Sequence, residues 1–581
     1  MHIQDEPGPR PSGASTRAED GERRVDDGAS HADGSAPHAD DSASRADDGA
    51  SRADDGGTPA GREESAALLA SLRRRLHVMD LPPSRIAWAA ATALFGLALV
   101  LRLWGLGSIH ELIFDETYYV KDGYTLTQEG VEMSWPDDPD AAFEAGDVDT
   151  YLPEGAYVVH PPLGKWLIGV GMLVLGPDSP WGWRIASALG GALAVLMLTR
   201  IGRRLFRSTT AGLIAGLLLA IDGVSLVHSR TSLLDPFLML FALAAFGALL
   251  VDRDRFRERL ALAATQMHLS AEAPQRLGPA GGLRPWRLLA GLLLGMACAV
   301  KWSGLYFVAV FGIMTVLWDW WARRTIGQRD WLLAGFVRDA VPAFLAIVGT
   351  ALVTYIASFA GWFASSVGYN RHLAKARGAD TGNAILDSLH SLWLYHVQAY
   401  TFHVGLDSEH PYQAHPAGWL LQLRPTNFYY RSYEYGEHGC QVATCGAQIL
   451  SIGNPVIWWL GTLAILVALV LGIAFRDGRA WAALSGIAAG YLPWLMYTDR
   501  TVFTFYVIAF SPWLILCLAY VMSLVIGPAE ADRERRLAGG LFVGSLLVLI
   551  VLVSAFFWPI WTGQVIDVTQ WRYRIWLPSW S

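Results

Sequence analysis

Two adjacent carboxylates, Asp115 and Glu116, follow the first long apolar segment and could carry acid/base chemistry. Neighbouring side chains diverge on a helix and alternate on a strand, so the two cannot point the same way. We therefore expect one carboxylate to take part in the reaction and the other to orient the reacting groups. A carboxylate near a dry interface has a raised pKa and can accept a proton from an alcohol as a new bond forms. The structural alternative is an acidic residue that caps a short helix.

Three basic residues could accompany the acidic pair and bind an anionic group such as a phosphate. His160 and Lys165 lie in the segment His-Pro-Pro-Leu-Gly-Lys, and Arg184 begins a later apolar span. A lysine binds phosphate as a point charge, although snorkelling of Lys165 to lipid headgroups would explain it equally well. Basic residues outside the cytoplasm oppose the usual charge bias of membrane proteins, which makes them informative.

Further polar residues map to the same side. Asp235 and Lys301 could serve the site together with Trp302, or could pair with each other and hold helices together. His410 and Arg424 lie in a long polar segment that joins hydrogen-bond donors to aromatic faces, which suits sugar and phosphate recognition. A loop packed on itself would look similar. No His-rich ligand set or nucleotide-binding glycine loop stands out, so we expect neither a nucleotide-sugar donor, a metal nor another cofactor.

The elements that position these residues must lie largely in a membrane. Of 581 residues, 53% are hydrophobic and 17% charged, and the mean hydropathy is +0.30. These values indicate an all-α, polytopic membrane protein. Judged against the roughly 20 apolar residues that a helix needs to cross a bilayer, eleven spans are predicted. They are 86–103, 184–201, 211–226, 236–251, 288–300, 302–320, 341–362, 456–475, 481–497, 503–525 and 541–557.

This topology sorts the polar segments between two sides. Arginines at 73–75 precede the first span, which keeps the N-terminus in the cytoplasm and sends Asp115 to the other side. Two outer loops result, 104–183 and 363–454, and the C-terminus also lies outside. The short apolar stretch 162–175 contains Lys165 and would reverse every later span if it crossed. We therefore expect a helix in the outer interface there.

The N-terminal segment differs from the rest. Residues 1–65 contain 16 acidic and 7 basic residues, whereas the whole chain has a net charge of −7, so the acidity belongs to this segment. It has too little apolar surface to offset the chain entropy lost on folding. The sequence predicts a disordered cytoplasmic tail over 1–65, a basic juxtamembrane segment over 66–85 and a membrane-integral catalytic domain over 86–581.

The four cysteines fall into two groups. Cys440 and Cys445 lie five residues apart in the second outer loop, where oxidation is permitted, so we predict a local disulfide between them. Cys298 and Cys517 fall inside apolar spans and are expected to be small buried hydrophobes.

The motifs, taken in order, resemble those of the protein O-mannosyltransferases, in their actinobacterial type. The resemblance runs from about Ile86 to the C-terminus. It is carried by Phe-Asp-Glu-Thr-Tyr-Tyr-Val-Lys-Asp at 114–122, His-Pro-Pro-Leu-Gly-Lys at 160–165, Arg184, Leu-Asp-Pro at 234–236 and Lys-Trp-Ser-Gly-Leu at 301–305. Eukaryotic members carry a lumenal trefoil domain in a late loop, for which 363–454 is too short.

The resemblance implies a GT-C glycosyltransferase of the plasma membrane. It would take mannose from a polyprenyl-phosphate-mannose lipid and place it on Ser or Thr hydroxyls of secreted or membrane proteins, including during export. Asp115 would be the general base, Glu116 would bind or position the acceptor, and Arg184 would be an essential cation. We extend the resemblance with further assignments. The donor phosphate would contact His160, Lys165, Lys301 and Arg424, and the supporting residues would be Asp235, Trp302 and His410.

Direct attack by the acceptor hydroxyl would invert the anomeric carbon, and nearby cations would stabilise the leaving phosphate without a divalent ion. Two alternatives stay open. A GT-C transferase could use a glycolipid or cell-wall polysaccharide as its acceptor, because the motifs do not specify the acceptor class. A transporter would carry charges near the middle of the membrane and repeated halves, whereas these groups cluster at one face. Nucleic acid is not an expected partner.

Overall fold

The computed structural model describes residues 59–78, 82–269 and 276–581, which form a mainly helical protein. Most of the predicted disordered tail, residues 1–58, lies outside this described part. Helix α1 (Pro59–Arg75) begins inside the predicted tail, and its Leu72 contributes to a small apolar cluster with Phe256 and Leu260. The boundary predicted at residue 65 therefore falls inside this helix, which continues without a break through Ala66 to Leu69.

The first half of the protein consists of long apolar helices separated by shorter ones. Capping residues fix several of the starts: Ser84 accepts a hydrogen bond from Ala87 N, and Ser179 caps a helix whose first residue is Pro180. The helices are α2 (Arg85–Leu103), α3 (Glu116–Glu129), α4 (Asp140–Glu144), α5 (Leu163–Leu175), α6 (Pro180–Phe206), α7 (Thr209–Ile221), α8 (Gly223–His228), α9 (Asp235–Leu269), α10 (Pro285–Val300) and α11 (Gly304–Thr325).

The span predicted at 341–362 begins ten residues earlier and is irregular. It is one helical segment, Trp331–Ser358, built from α12 (Trp331–Gly335), α13 (Val341–Phe344) and α14 (Thr350–Ser358) with π-helical turns between them. Pro342 lies between the two π turns. A proline has no N–H for the helical ladder, so the hydrogen bonds around it shift register.

The outer loop predicted at 363–454 is an ordered subdomain. Its helices are α15 (Ala360–Ala364), α16 (Leu373–Ala376) and α17 (Ala384–Val404), and its strands are β1 (Thr426–Glu434) and β2 (Thr444–Ser451). The short strand β3 (Ile566–Asp567) pairs with β2, which gives an antiparallel sheet in the order β1-β2-β3. This sheet corrects the all-α expectation in one place, where a run of aromatic residues (428–430) favours a strand.

The C-terminal part returns to longer helices, α18 (Pro455–Ala474), α19 (Gly478–Gly490), α20 (Ser511–Ile526) and α21 (Arg533–Thr562), which the short helix α22 (Val568–Arg572) follows. The spans predicted at 481–497 and 503–525 each include a 3-10 segment, Leu492–Met496 and Thr504–Ala509. The span predicted at 211–226 is broken at Asp222, whose side chain caps α8 by accepting a hydrogen bond from Ser225 N.

All eleven predicted spans coincide with helical segments, and seven segments in the described residues are long and apolar enough to cross a membrane. These are α2, α6, α9, α11, the segment Trp331–Ser358, α18 and α21. Helices α7, α10 and α20 are apolar but shorter. The protein is therefore a multi-pass membrane protein, while the number of crossings and the interfacial position of α5 stay predictions.

Candidate active site

The acidic pair lies where the loop after α2 turns into α3. Phe114 adopts a left-handed backbone conformation with φ of 53°, which is rare for a bulky side chain and marks local strain. Its ring stacks on Phe428 of β1 at 4.5 Å between centroids, and it meets the edge of Phe505 at 5.3 Å. The small sheet therefore holds Phe114, and Phe114 fixes the direction in which Asp115 leaves the loop.

Glu116 is fully buried and bound on all sides. Its Oε1 accepts hydrogen bonds from Arg184 Nε and from the backbone N–H of Ser232, each at 2.8 Å. Its Oε2 accepts from Arg184 Nη2 at 2.7 Å and from the backbone N–H of Ile113 at 3.1 Å. Glu116 thus joins α3 to α6 and to the segment before α9, and it holds the loop that carries Asp115 in place.

Arg184 has no donor left for a phosphate. Besides Glu116, it donates through Nη1 to the carbonyls of Leu106 and Ile109, at 3.4 and 2.7 Å, and through Nη2 to the carbonyl of Glu111 at 2.9 Å. A guanidinium carries five N–H donors, and all five positions are used. The expectation of Arg184 as a phosphate contact is corrected to a buried link between α6 and the loop that carries Asp115.

Asp115 is the free member of the pair. It occupies the N-cap position of α3, but its side chain makes no capping hydrogen bond, which argues against the structural alternative. Instead Oδ2 accepts a hydrogen bond from Tyr119 at 3.4 Å. Burial raises the pKa of Asp115 to about 6; Lys301 acts in the opposite direction, and Asp235 adds to the rise. At neutral pH the Asp115 carboxylate is therefore mostly ionised. Its pKa also lies close to that pH, as general-base catalysis requires.

Lys301 and Asp235 form an ion pair beside Asp115, with 2.7 Å between Nζ and Oδ2. The pairing that the sequence left open is thus present, and it ties the end of α10 to the start of α9. The Lys301 ammonium also lies 4.8 Å from the centre of the Tyr506 ring. Against the effect of burial, Asp235 keeps the pKa of Lys301 above its usual value, so this cation stays charged near Asp115.

Next to the ion pair of Lys301 and Asp235, aromatic and histidine rings line the site. Trp302 donates from Nε1 to the hydroxyl of Tyr355 at 2.8 Å, and that hydroxyl lies 2.6 Å from His396 Nε2. The rings of His160 and His403 are 5.2 Å apart. Burial lowers the pKa of both histidines, well below the usual value for His160 and to about 4 for His403. His160 is therefore neutral, and it can contribute a hydrogen bond but no positive charge.

Arg500 is a cation that the sequence interpretation missed. Its Nη2 donates to His403 Nδ1 at 3.3 Å, while its Nε is buried with no hydrogen-bond partner among the described residues. Because His403 accepts at Nδ1, its other nitrogen carries the proton that goes to the carbonyl of Val159, at 3.0 Å. The signal was available: Arg500 lies between two predicted spans on the outer side, where basic residues are unusual.

Lys165 is not placed to bind a phosphate either. Its side chain is fully buried, and Nζ lies 2.5 Å from Glu132 Oε1 and 3.4 Å from Asp122 Oδ2. Two carboxylates therefore neutralise it between α3 and α5. The structure also excludes the snorkelling alternative, because a fully buried ammonium does not reach a lipid headgroup.

The two other predicted site residues, Arg424 and His410, lie in the loop subdomain. Arg424 donates to the carbonyls of Pro411, Ser579 and Ser581, so it ties this loop to the last residues of the chain. His410 is exposed and packs edge-on against Phe503. These contacts correct the expectation that Arg424 binds phosphate, because backbone carbonyls accept hydrogen bonds from its Nε and from both of its terminal nitrogens. In the same subdomain, Cys440 of the turn between β1 and β2 forms a disulfide with Cys445 of β2.

The arrangement can accept a proton and stabilise an anion within one partly open cluster. Asp115 provides an ionised carboxylate that no residue holds in an ion pair within the described part of the chain. Lys301 and Arg500 provide positive charge, and Tyr119 and His160 provide hydrogen-bonding groups. Deprotonation of an alcohol beside a departing anionic group needs this combination of groups.

Comparison with known families gives matches along most of the chain. The family described as dolichyl-phosphate-mannose-protein mannosyltransferase matches residues 153–360. The C-terminal four TMM region of protein-O-mannosyltransferase matches residues 388–580.

Curated relatives match over nearly their whole length. The polyprenol-phosphate-mannose--protein mannosyltransferase of Mycolicibacterium smegmatis (strain MKD8) is 38% identical over 85% of this chain and 93% of that protein. The protein of the same name from Corynebacterium glutamicum is 35% identical over 83% of this chain and 91% of that protein. Among solved structures, the Saccharomyces cerevisiae protein O-mannosyltransferase Pmt1-Pmt2 complex bound to the sugar donor has a similar fold. Its TM-score is 0.64, at 16% identity, over 89% of this chain and 94% of that one.

Proposed function

The chain belongs to the protein O-mannosyltransferase family, and from this premise we propose that it transfers mannose from a polyprenyl-phosphate-mannose lipid to Ser and Thr hydroxyls of secreted or membrane proteins. The observation that carries the proposal is the 38% identity to a polyprenol-phosphate-mannose--protein mannosyltransferase over 93% of that relative. The fold and the enzyme class, a membrane-integral GT-C glycosyltransferase, are as the sequence predicted.

Asp115 serves as the general base. As the acceptor oxygen bonds to the anomeric carbon, the bond from that carbon to the phosphate oxygen breaks, and the hydroxyl proton moves to Asp115. Polyprenyl phosphate leaves with the electron pair of the broken bond. One displacement from the face opposite the leaving group inverts the anomeric carbon. A base with a pKa of about 6 is mostly ionised at neutral pH and still accepts a proton from an alcohol whose acidity rises in the transition state.

Lys301 and Arg500 bind the donor phosphate. Lys301 keeps its charge through Asp235, and its ammonium faces the ring of Tyr506 near the base. Arg500 has a buried Nε with no hydrogen-bond partner among the described residues, and a phosphate oxygen would satisfy it. The roles of Glu116 and Arg184 follow from their mutual ion pair: they hold the loop that carries Asp115 against α6.

The site faces the extracytoplasmic side of the plasma membrane, with the N-terminus in the cytoplasm. Arginines at 73–75 precede α2, and arginines at 203, 204 and 207 lie at the end of α6 opposite Arg184, which supports this orientation under the positive-inside rule. Acceptor proteins would then meet the enzyme as they leave the cytoplasm, during or after export.

The test is transfer of radiolabelled mannose from polyprenyl-phosphate-mannose in membranes that contain the full chain. A Ser/Thr peptide should become labelled, while the same peptide with Ala at every Ser and Thr position should not. Membranes without the chain supply the background. Label that appears only in extracted glycolipid or polysaccharide would contradict the protein acceptor and favour the alternative GT-C function.

A further inference from the structure

A cavity of about 780 Å³ lies at the end of the helix bundle away from Asp115. Helix α6 connects the two places. Arg184 near its start pairs with Glu116, whereas Arg200 lines the cavity. The 16 residues between them correspond to about 24 Å along an α-helix. The cavity is therefore separate from the mannosyl-transfer site.

Most of the cavity wall is apolar. It is built from α6, α9 and α10, with Leu196, Met197, Ala244, Gly247 and Leu293 among its lining residues. The outer surfaces of the same helices next to it are also apolar and exposed, and they present Leu189, Leu193, Leu288 and Leu292. On a membrane protein, such a surface faces hydrocarbon chains. The apolar wall thus continues into the surface that lipids contact.

The polar end of the cavity is strongly basic. Its described lining includes four arginines, at 200, 203, 204 and 207, and one carboxylate, Asp254. Arg204 and Arg207 both contact Asp254, at 2.9 and 3.3 Å, and Arg253 contacts it as well, at 2.9 Å. Among the described lining residues, Asp254 is thus the carboxylate that these arginines share, and it makes no contact with Arg200.

Arg200 is the residue that most requires a partner. Its guanidinium lies 3.7 Å from the centre of the Trp88 ring, and its Nη1 is buried with no hydrogen-bond partner in the described part of the chain. A buried donor left unpaired is costly, more so when it is charged. Arg203, by contrast, donates to the carbonyl of Pro82 at 2.9 Å and to the hydroxyl of Thr209 at 3.1 Å.

We propose that this cavity binds an anionic phospholipid, with the phosphate at Arg200 and Arg204 and an acyl chain along the apolar wall of α6, α9 and α10. A free phosphate would leave the apolar wall unfilled, and a lipid without net charge would not neutralise the buried guanidinium of Arg200. Basic pockets between membrane helices bind anionic lipid headgroups for this reason. The lipid would fill the space between the basic ends of α2, α6, α9 and α10 and hold them together.

The test uses the purified full chain in neutral detergent and follows its thermal unfolding midpoint. Dioleoylphosphatidylglycerol should raise the midpoint, whereas dioleoylphosphatidylcholine and sodium phosphate at equal concentration should not. The variant Arg200→Gln should need roughly tenfold more phosphatidylglycerol for the same rise, as expected for one charge-assisted contact. The matched control is Arg535→Gln, an exposed arginine outside the cavity that should titrate like the wild type.

A second variant tests the acyl-chain part without touching a charge. Ala244 lines the cavity, so Ala244→Phe should place a ring against the apolar wall where the acyl chain lies and reduce the rise in midpoint, while Arg200 stays in place. Equal stabilisation by both lipids would overturn the proposal, and so would stabilisation by sodium phosphate alone or a rise with phosphatidylglycerol that is unchanged in Ala244→Phe. Identical titrations of Arg200→Gln and Arg535→Gln would also overturn it. None of these measurements depends on mannosyl transfer.

Discussion

The two ends of helices α9, α10 and α11 both bury charged side chains, but they match those charges differently. At the basic end, Arg284 contacts Asp252 and Asp319, each at 2.6 Å, and Arg287 contacts the same two carboxylates. Two positive and two negative charges cancel within one cluster. At the site end, Lys301 pairs with Asp235, while Asp115 is in no ion pair and Arg500 has a buried N–H without a partner among the described residues.

The difference separates charges that hold helices from charges that are available for chemistry. A buried ion pair contributes little net stability, but removing one partner is destabilising because the other charge is left uncompensated. A charge that stays unmatched in a partly buried cluster must therefore have another use. Asp115 and Glu116 show the same contrast within two residues: Glu116 has all its acceptor positions filled, and Asp115 has one long hydrogen bond.

The variant Asp115→Asn should break activity and leave the fold intact. We expect mannose transfer to fall by about 10² to 10⁴, the usual contribution of a general base, because an amide cannot take the acceptor proton. The thermal unfolding midpoint should stay near that of the wild type, since no ion pair is lost. Asp147→Asn, an exposed aspartate in the same loop, is the control. Full transfer by Asp115→Asn would remove this residue as the base.

Variants of the paired carboxylates should lose stability, with or without a loss of activity according to their distance from the loop of Asp115. Asp319→Asn should lower the stability by about 3 to 5 kcal/mol, because Arg284 and Arg287 lose a buried partner, while the activity of each folded molecule is kept. Glu116→Gln should lose a similar amount of stability and also lose activity, because the loop of Asp115 is released. Thermal unfolding and transfer assays on the same preparations measure both. A stable Glu116→Gln enzyme that binds acceptor poorly would instead make Glu116 an acceptor-binding residue.

The sequence predicted the helices well because apolar length and flanking arginines are local signals. It also predicted that Asp115 and Glu116 would divide their roles, since neighbours on a backbone diverge. It could not predict which of them acts without the family resemblance. Nor could it show that Arg184 and Lys165 are neutralised, because their partners Glu116 and Glu132 are distant in sequence and meet them only in the folded bundle.

Arg500 shows a signal that was present and not used. The rule that made Arg184 informative, a basic residue at the outer end of a span, applies equally to Arg500. Arg424 shows the opposite error: a loop rich in proline and aromatic residues suggested ligand recognition, whereas its guanidinium holds backbone carbonyls. The strand that carries Phe428 escaped prediction because an aromatic run inside a long loop has no periodic pattern over enough residues to be recognised.

The variant Arg500→Gln should weaken donor binding more than it slows the chemical step. We expect the KM for polyprenyl-phosphate-mannose to rise by about 10- to 100-fold, the value of a charge-assisted hydrogen bond, with a smaller change in kcat. Arg377→Gln, an exposed arginine of the loop subdomain, is the control. An unchanged KM in Arg500→Gln would mean that Arg500 only supports His403 and that Lys301 alone meets the phosphate.

The pH dependence of the wild type should report the ionisation of Asp115. Since the base must be deprotonated, kcat/KM should rise with pH, with its midpoint at about 6, the pKa to which burial raises this carboxyl. Below that midpoint the rate should fall about tenfold for each pH unit. The assay is transfer to the Ser/Thr peptide between pH 4.5 and 8. A flat profile across pH 6 would contradict an active base with this pKa.

The variant Tyr119→Phe should move that midpoint by less than any change above, and upward. The Tyr119 hydroxyl donates to Asp115 Oδ2 at 3.4 Å, and this contact favours the ionised carboxylate. Its loss should raise the midpoint by about 0.7 pH unit, because a hydrogen bond worth about 1 kcal/mol corresponds to that shift. Activity well above the midpoint should be nearly unchanged, since the base is fully ionised there in both proteins. A midpoint that stays in place would mean that the hydroxyl does not contact the ionised form, and that burial and Lys301 alone set the reactivity of Asp115.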